Sequence, residues 1–146
     1  MKNKSQKLFL FLSIVLYLIS LTQKSFCTNS NVCRYFSGFL DLIFGWLGVF
    51  ILHIPTFPWL ANPLLLVSWF LFKKKSKTSF ILSGIAFILM LSFLFVDEII
   101  VNEGSTTSIV NFYGLGYWFW VFSSFIMLVG NSIHWKKNKQ KPQHGI

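Results

Sequence analysis

Asp41, His53 and Asn62 are an acid, an imidazole and an amide set in the apolar stretch 37–72, and such groups are the raw material of proton or cation handling. Their spacing matches no known pattern for metal binding or nucleophilic catalysis. Ser37, Asp41, Gly45 and Gly48 recur at intervals of four, four and three, so on a helix they form one narrow stripe of small or acidic residues with Phe, Leu, Ile and Trp on the other faces. Two readings of that stripe stand side by side: a groove that lets another helix approach closely, or an acid with an ionisable role. Asn62 directly precedes Pro63, where its amide can bond the carbonyl that a proline leaves without a donor. His53, beside Pro55 and Pro58, reads as a loop residue.

The two cysteines, Cys27 and Cys33, share one short polar segment. The five residues between them suit a small disulfide loop, whereas exchange-active pairs usually have two intervening residues. A metal site would need further ligands, and Asp41 and His53 do not complete a zinc pattern. There is no phosphate-binding loop, dinucleotide fingerprint, HExxH or Gly-x-Ser-x-Gly elbow, and Gly114-Leu-Gly116 is too short for phosphate and suits close packing. No catalytic residue, cofactor or metal is therefore expected.

The elements that must position these residues follow from composition. The chain is 54% hydrophobic and 12% charged, against roughly 25% charged in a soluble domain. Eighteen Phe and six Trp in 146 residues exceed what one water-soluble core would hide. The net charge of +9 comes from lysines at the ends of apolar runs, with no basic helical face or nucleic-acid motif. Those lysines mark a cytoplasmic side and touch acidic lipid headgroups.

The expected architecture is an all-α integral membrane protein, a single domain over 1–146, with about four transmembrane helices plus one interfacial or re-entrant helix. The spans are 8–22, 54–72 with a kink at Pro63, 79–96 and 111–133, and the interfacial piece is 38–52. Lys73, Lys74, Lys75 and Lys77, and the tail from Trp135 onward, fix 73–78 and 135–146 as cytoplasmic, leaving 23–37 and 97–108 as external loops. Two alternatives remain open. The first run also fits a signal peptide, and five spans would require Lys2, Lys4 and Lys7 to lie outside. Richness in Lys, Asn, Phe and Ile suggests a bacterial inner membrane.

Function is expected to lie in contact with the lipid bilayer and with a membrane-protein partner or a second copy, as an accessory or immunity-type protein acting through helix packing. A channel or carrier that works only as an oligomer is the alternative, with Asp41 lining its pore. A membrane enzyme acting on lipid or quinone is a further one, and Asp41, His53, Asp97 and Glu98 are the acid–base groups it would have to use.

Overall fold

The computed structural model describes residues 2–28, 34–50, 54–100 and 107–139. The chain is mostly helical, with α1 at Lys2–Thr22, α2 at Gly38–Phe50, α3 at Ala61–Leu71, α4 at Ser76–Ser92 and α5 at Leu115–Lys139. A 3-10 segment, Ile54–Leu60, leads into α3, and a shorter one, Phe93–Phe95, ends α4. Two helical stretches, Ser76–Phe95 and Leu115–Lys136, are long and apolar enough to cross a membrane, since about 20 residues at about 1.5 Å each match a hydrocarbon core of about 30 Å. The apolar part of α1, Lys7–Thr22, and α2 are shorter.

The expectation of an all-α fold needs one correction. The segments read as external loops form a four-stranded antiparallel sheet in the order β2-β1-β4-β3, with β1 at Lys24–Thr28, β2 at Arg34–Ser37, β3 at Glu98–Ile100 and β4 at Thr107–Tyr113. β1 and β2 form a hairpin, β3 and β4 a second one, and β1 joins them by pairing Phe26 with Tyr113 and Cys27 with Phe112. The physical reason is the demand of the backbone for partners. Ser25, Phe26, Cys27 and Thr28 are all buried, and a buried extended segment meets that demand by pairing on both edges. β4 also shortens the expected span 111–133, because its first residues belong to the sheet and α5 starts only after Gly114. Gly114 and Gly116 make that junction possible, since a Cβ on either would run into the backbone carbonyl of Lys24. The Gly114 N–H instead donates to Ser25 O at 2.7 Å.

The 54–72 segment differs from the kinked crossing expected for it. Pro63 sits in the first turn of α3, where no intrahelical donor is required, so it starts a helix rather than bending one. Asn62 accordingly does not cap a freed carbonyl. Its side-chain oxygen accepts from Tyr17 Oη at 3.0 Å and from Trp120 Nε1 at 2.8 Å, joining α1, α3 and α5.

The bundle interior combines an apolar cluster, with Leu65, Phe72, Met90, Tyr117 and Met127 in it, with small polar residues, while further large apolar side chains face outward. Ser13, Ser68, Ser79, Ser83, Ser123, Ser124 and Asn131 are fully buried. Leu8, Phe11 and Leu18 on α1, Ile81, Ile85 and Ile88 on α4, and Leu115, Trp118, Phe122 and Phe125 on α5 face outward. The centre of the interior is a knot of Ser68, Ser79, Ser83 and Asn131. Ser68 Oγ donates to Ser79 O at 2.9 Å, while Ser79 Oγ shares its proton between Ser68 O at 2.8 Å and Asn131 Oδ1 at 2.9 Å. The Asn131 amide reaches Ser83 Oγ at 2.9 Å, Ser79 O at 3.1 Å and Ser68 Oγ at 3.2 Å. On the other side, Ser13 Oγ donates to Ser123 O at 2.7 Å and accepts from Trp69 Nε1 at 3.0 Å. Gly130 lets α1 approach α5, because a Cβ there would lie 2.6 Å from Phe9 Cβ.

Asn131→Ala should lower stability by about 2 kcal/mol, because each bond inside such a bundle contributes about 0.6 kcal/mol and the truncation also strips Ser79 and Ser83 of a partner. Thermal unfolding in mild detergent measures this; a melting point equal to wild type would mean that the knot does not hold the helices together.

Candidate functional site

Between the sheet and the bundle lies a half-open cavity of about 620 Å³. The end of α1 contributes Ser20 and Leu21, β1 contributes Ser25 and Phe26, and α5 contributes Gly116, Tyr117 and Trp120. The remaining wall is α2 with the 3-10 segment. These two pieces pack closely because Gly45 and Gly48 have no side chain: a Cβ on Gly45 would collide with the Trp59 indole, and one on Gly48 with the Thr56 side chain. Trp59 is pinned in that contact by its Nε1, which donates to Leu42 O at 3.0 Å. The groove that the Gly stripe forms on α2 is thus occupied by the chain's own residues.

Asp41, Gly45, Gly48 and Asn62 all line this cavity. His53 and Cys33 lie outside the described residues. Cys27, in the inner strand β1, is disulfide-bonded, and no free thiol occurs among the described residues. Asp97 and Glu98 are exposed where β3 begins, away from the lining, so the structure does not bring them to Asp41. Among the described residues no group of three His, Cys, Asp or Glu side chains could hold a metal ion.

Sequence reasoning missed Ser25, Trp59, Tyr117 and Trp120. Tyr117 and Trp120 are three apart on α5 and therefore share a face, which was the available signal. Their neighbour Trp118 faces outward instead. Tyr117 is buried, and its hydroxyl donates to Met90 O at 3.0 Å.

No family model, curated protein or solved structure matches the chain.

Among its described residues the cavity wall contains one acid and no Lys, Arg or His. Most hydroxyl and indole donors on it are spent within the chain: Ser20 on Tyr17 O, Ser25 on Asp41, Trp59 on Leu42 O, Tyr117 on Met90 O and Trp120 on Asn62. Asp41 keeps acceptor capacity beyond the bond from Ser25, the one it has among the described residues, because a carboxylate has about four lone-pair sites. The surroundings act on its proton. Burial pushes the Asp41 carboxyl up to about 6, and the Ser25 hydroxyl opposes the shift by bonding the charged form.

A carboxyl with a raised pKa binds its proton more tightly folded than unfolded, so stability falls as pH rises from the ordinary carboxylate range to about 6 and stays at its lower level above that. Asp41→Asn removes this dependence. The variant should melt above wild type at pH 7.5, by on the order of 1 kcal/mol after allowance for partial exposure, and match wild type at pH 4. Paired melting curves at the two pH values check this, and a variant less stable than wild type at pH 7.5 would show that the charged form is favoured in the fold.

Proposed function

We propose that this chain is a multi-pass membrane protein that acts by binding and not by catalysis, holding a small amphipathic molecule in the cavity beneath its sheet. The observation that carries the reading is the cavity itself: a mostly apolar chamber of about 620 Å³ with one acid, Asp41, set in its wall. Sites for small molecules have this make-up, an apolar lining with a few fixed polar groups.

Several features support the membrane part. The outward faces of α1, α4 and α5 are built from large apolar side chains, and the interior sets buried Ser and Asn beside an apolar cluster that includes Leu65, Phe72, Met90 and Met127, a make-up that suits lipid outside and adds hydrogen bonds to packing inside. The threading we favour has about four crossings, by α1, by the 3-10 segment with α3, by α4 and by α5. Ser13 and Tyr17 bond α5 and α3, which favours α1 as a retained helix over a removed signal peptide. α2 lies at the boundary, turning out Phe39, Ile43, Trp46 and Phe50, a row spaced by four, three and four. Lys73, Lys74 and Lys75 between α3 and α4 argue for a cytoplasmic turn and a sheet on the opposite side, and the disulfide at Cys27 suits an oxidising compartment there. A bacterial inner membrane with the C-terminus in the cytoplasm is the setting this implies.

A second reading, an accessory or immunity-type protein that packs against a membrane partner or a second copy, draws on the same α2 row. Trp46 and Phe50 stack edge to face at 5.6 Å and would offer a partner a rigid apolar ridge.

Reporter enzymes active only outside the cytoplasm should be bright when fused after Thr106 and dark after Ser76 or Gln140; brightness at Ser76 would overturn the threading. Native mass spectrometry of the full chain released from mild detergent separates the two functional readings. A monomer that retains a small-molecule adduct is the expected result, and a protein complex with no adduct would favour partner packing.

A further inference from the structure

We propose that the cavity selects a lipid-soluble organic cation, a protonated amine on an apolar body, whose ammonium group pairs with Asp41 while its body lies against Trp59, Tyr117 and Trp120. This deepens the binding reading above and rests on it. Three features of the wall decide the class.

The first is the sign of charge. Among the described residues of the lining Asp41 is the only acid and none is a base, so a phosphate or carboxylate head would meet a like charge there. The second is the balance of donors and acceptors. Ser20, Ser25, Trp59, Tyr117 and Trp120 have each given their proton to a partner within the chain. A ligand rich in acceptors, such as a quinone, finds few donors waiting, whereas an ammonium brings its own donors to a carboxylate with lone pairs to spare. The third is the aromatic wall. Indole and phenol faces attract a desolvated cation through their ring quadrupoles, with Trp the strongest.

The wall also limits the size of the guest. A volume of about 620 Å³ falls within the range of pockets that enclose a drug-sized molecule, and the cavity is open on one side, so a longer apolar tail can extend outward along α2. Leu40, Phe44 and Leu47 lie on that path, each both on the lining and exposed.

The test uses the full chain in nanodiscs of phosphatidylcholine, with empty nanodiscs correcting for partition into lipid. Three tritiated probes of equal chain length are compared: a long-chain primary amine, the matching alcohol and the matching carboxylic acid. At pH 7.5 the amine should bind saturably and more tightly than either of the others. Asp41→Asn should weaken the amine by about tenfold or more and leave the alcohol unchanged, while Asp41→Glu should keep amine binding within about threefold of wild type. Melting curves taken alongside confirm that the variants are folded. If the alcohol binds as tightly as the amine, or if Asp41→Asn binds the amine like wild type, the cation assignment fails while the binding cavity stands. If none of the three probes binds saturably, the binding reading fails with it.

Discussion

An amide or hydroxyl shut inside a bundle with an apolar exterior has no water to turn to, and the architecture of this chain follows from finding partners for such groups. Asn131 shows how. Its side chain reaches Ser68 on α3 and both Ser79 and Ser83 on α4, so one residue on α5 closes a three-helix contact whose members are all fully buried. Asn62 does the same for the other half, taking protons from Tyr17 on α1 and Trp120 on α5. Tyr17, Leu65, Phe72, Met90 and Met127 pack between the same helices. The two amides fix which faces meet and at what height.

That alignment sets the geometry of the outer end. Because Tyr17 and Trp120 are tied to Asn62, the end of α1 and the start of α5 stand side by side, and the strands that continue from them, β1 and β4, come within pairing distance. The glycines at the β4–α5 junction permit the close backbone contact, and the hairpins add β2 and β3 at the edges. The sheet then forms a roof, with α2 and the 3-10 segment as one wall. The cavity is the space left because strands and helices cannot fill a corner of this shape with the residues available.

The parts of this fold that the sequence made legible are those governed by local composition. The apolar runs bounded by lysines gave α4 and α5, and the four-residue recurrence of Asp41 and Gly45 gave the close-packing stripe on α2. What was not legible depended on separation along the chain. β1 and β3 are too short to show alternation, and β4 is concealed at the head of an apolar run that continues into α5. Asn131, followed closely by lysines, looks like the polar end of a helix, while its partners lie 48 to 63 residues earlier. The stripe on α2 announced that something would pack there without indicating that Thr56 and Trp59 of the same chain would do so. Pro63 misled in a different way, since a proline within an apolar run signals a bend or a beginning equally well.

The pairing of β1 with β4 sets a clock on assembly. A ribosome delivers the chain from its N-terminus, so β1 leaves early and waits, with one edge open, while α2, α3 and α4 are made. Its partner Phe112, opposite Cys27, and the glycine junction behind it follow only after those helices. Contacts between such distant segments form slowly, and an unpaired strand edge is a site for unwanted association in the meantime. The β1–β2 hairpin covers the other edge at once, because its two strands are neighbours in sequence. The cavity lacks the α5 part of its wall, Gly116, Tyr117 and Trp120, until that helix follows, so it is completed only after the strand that roofs it has waited for a distant partner.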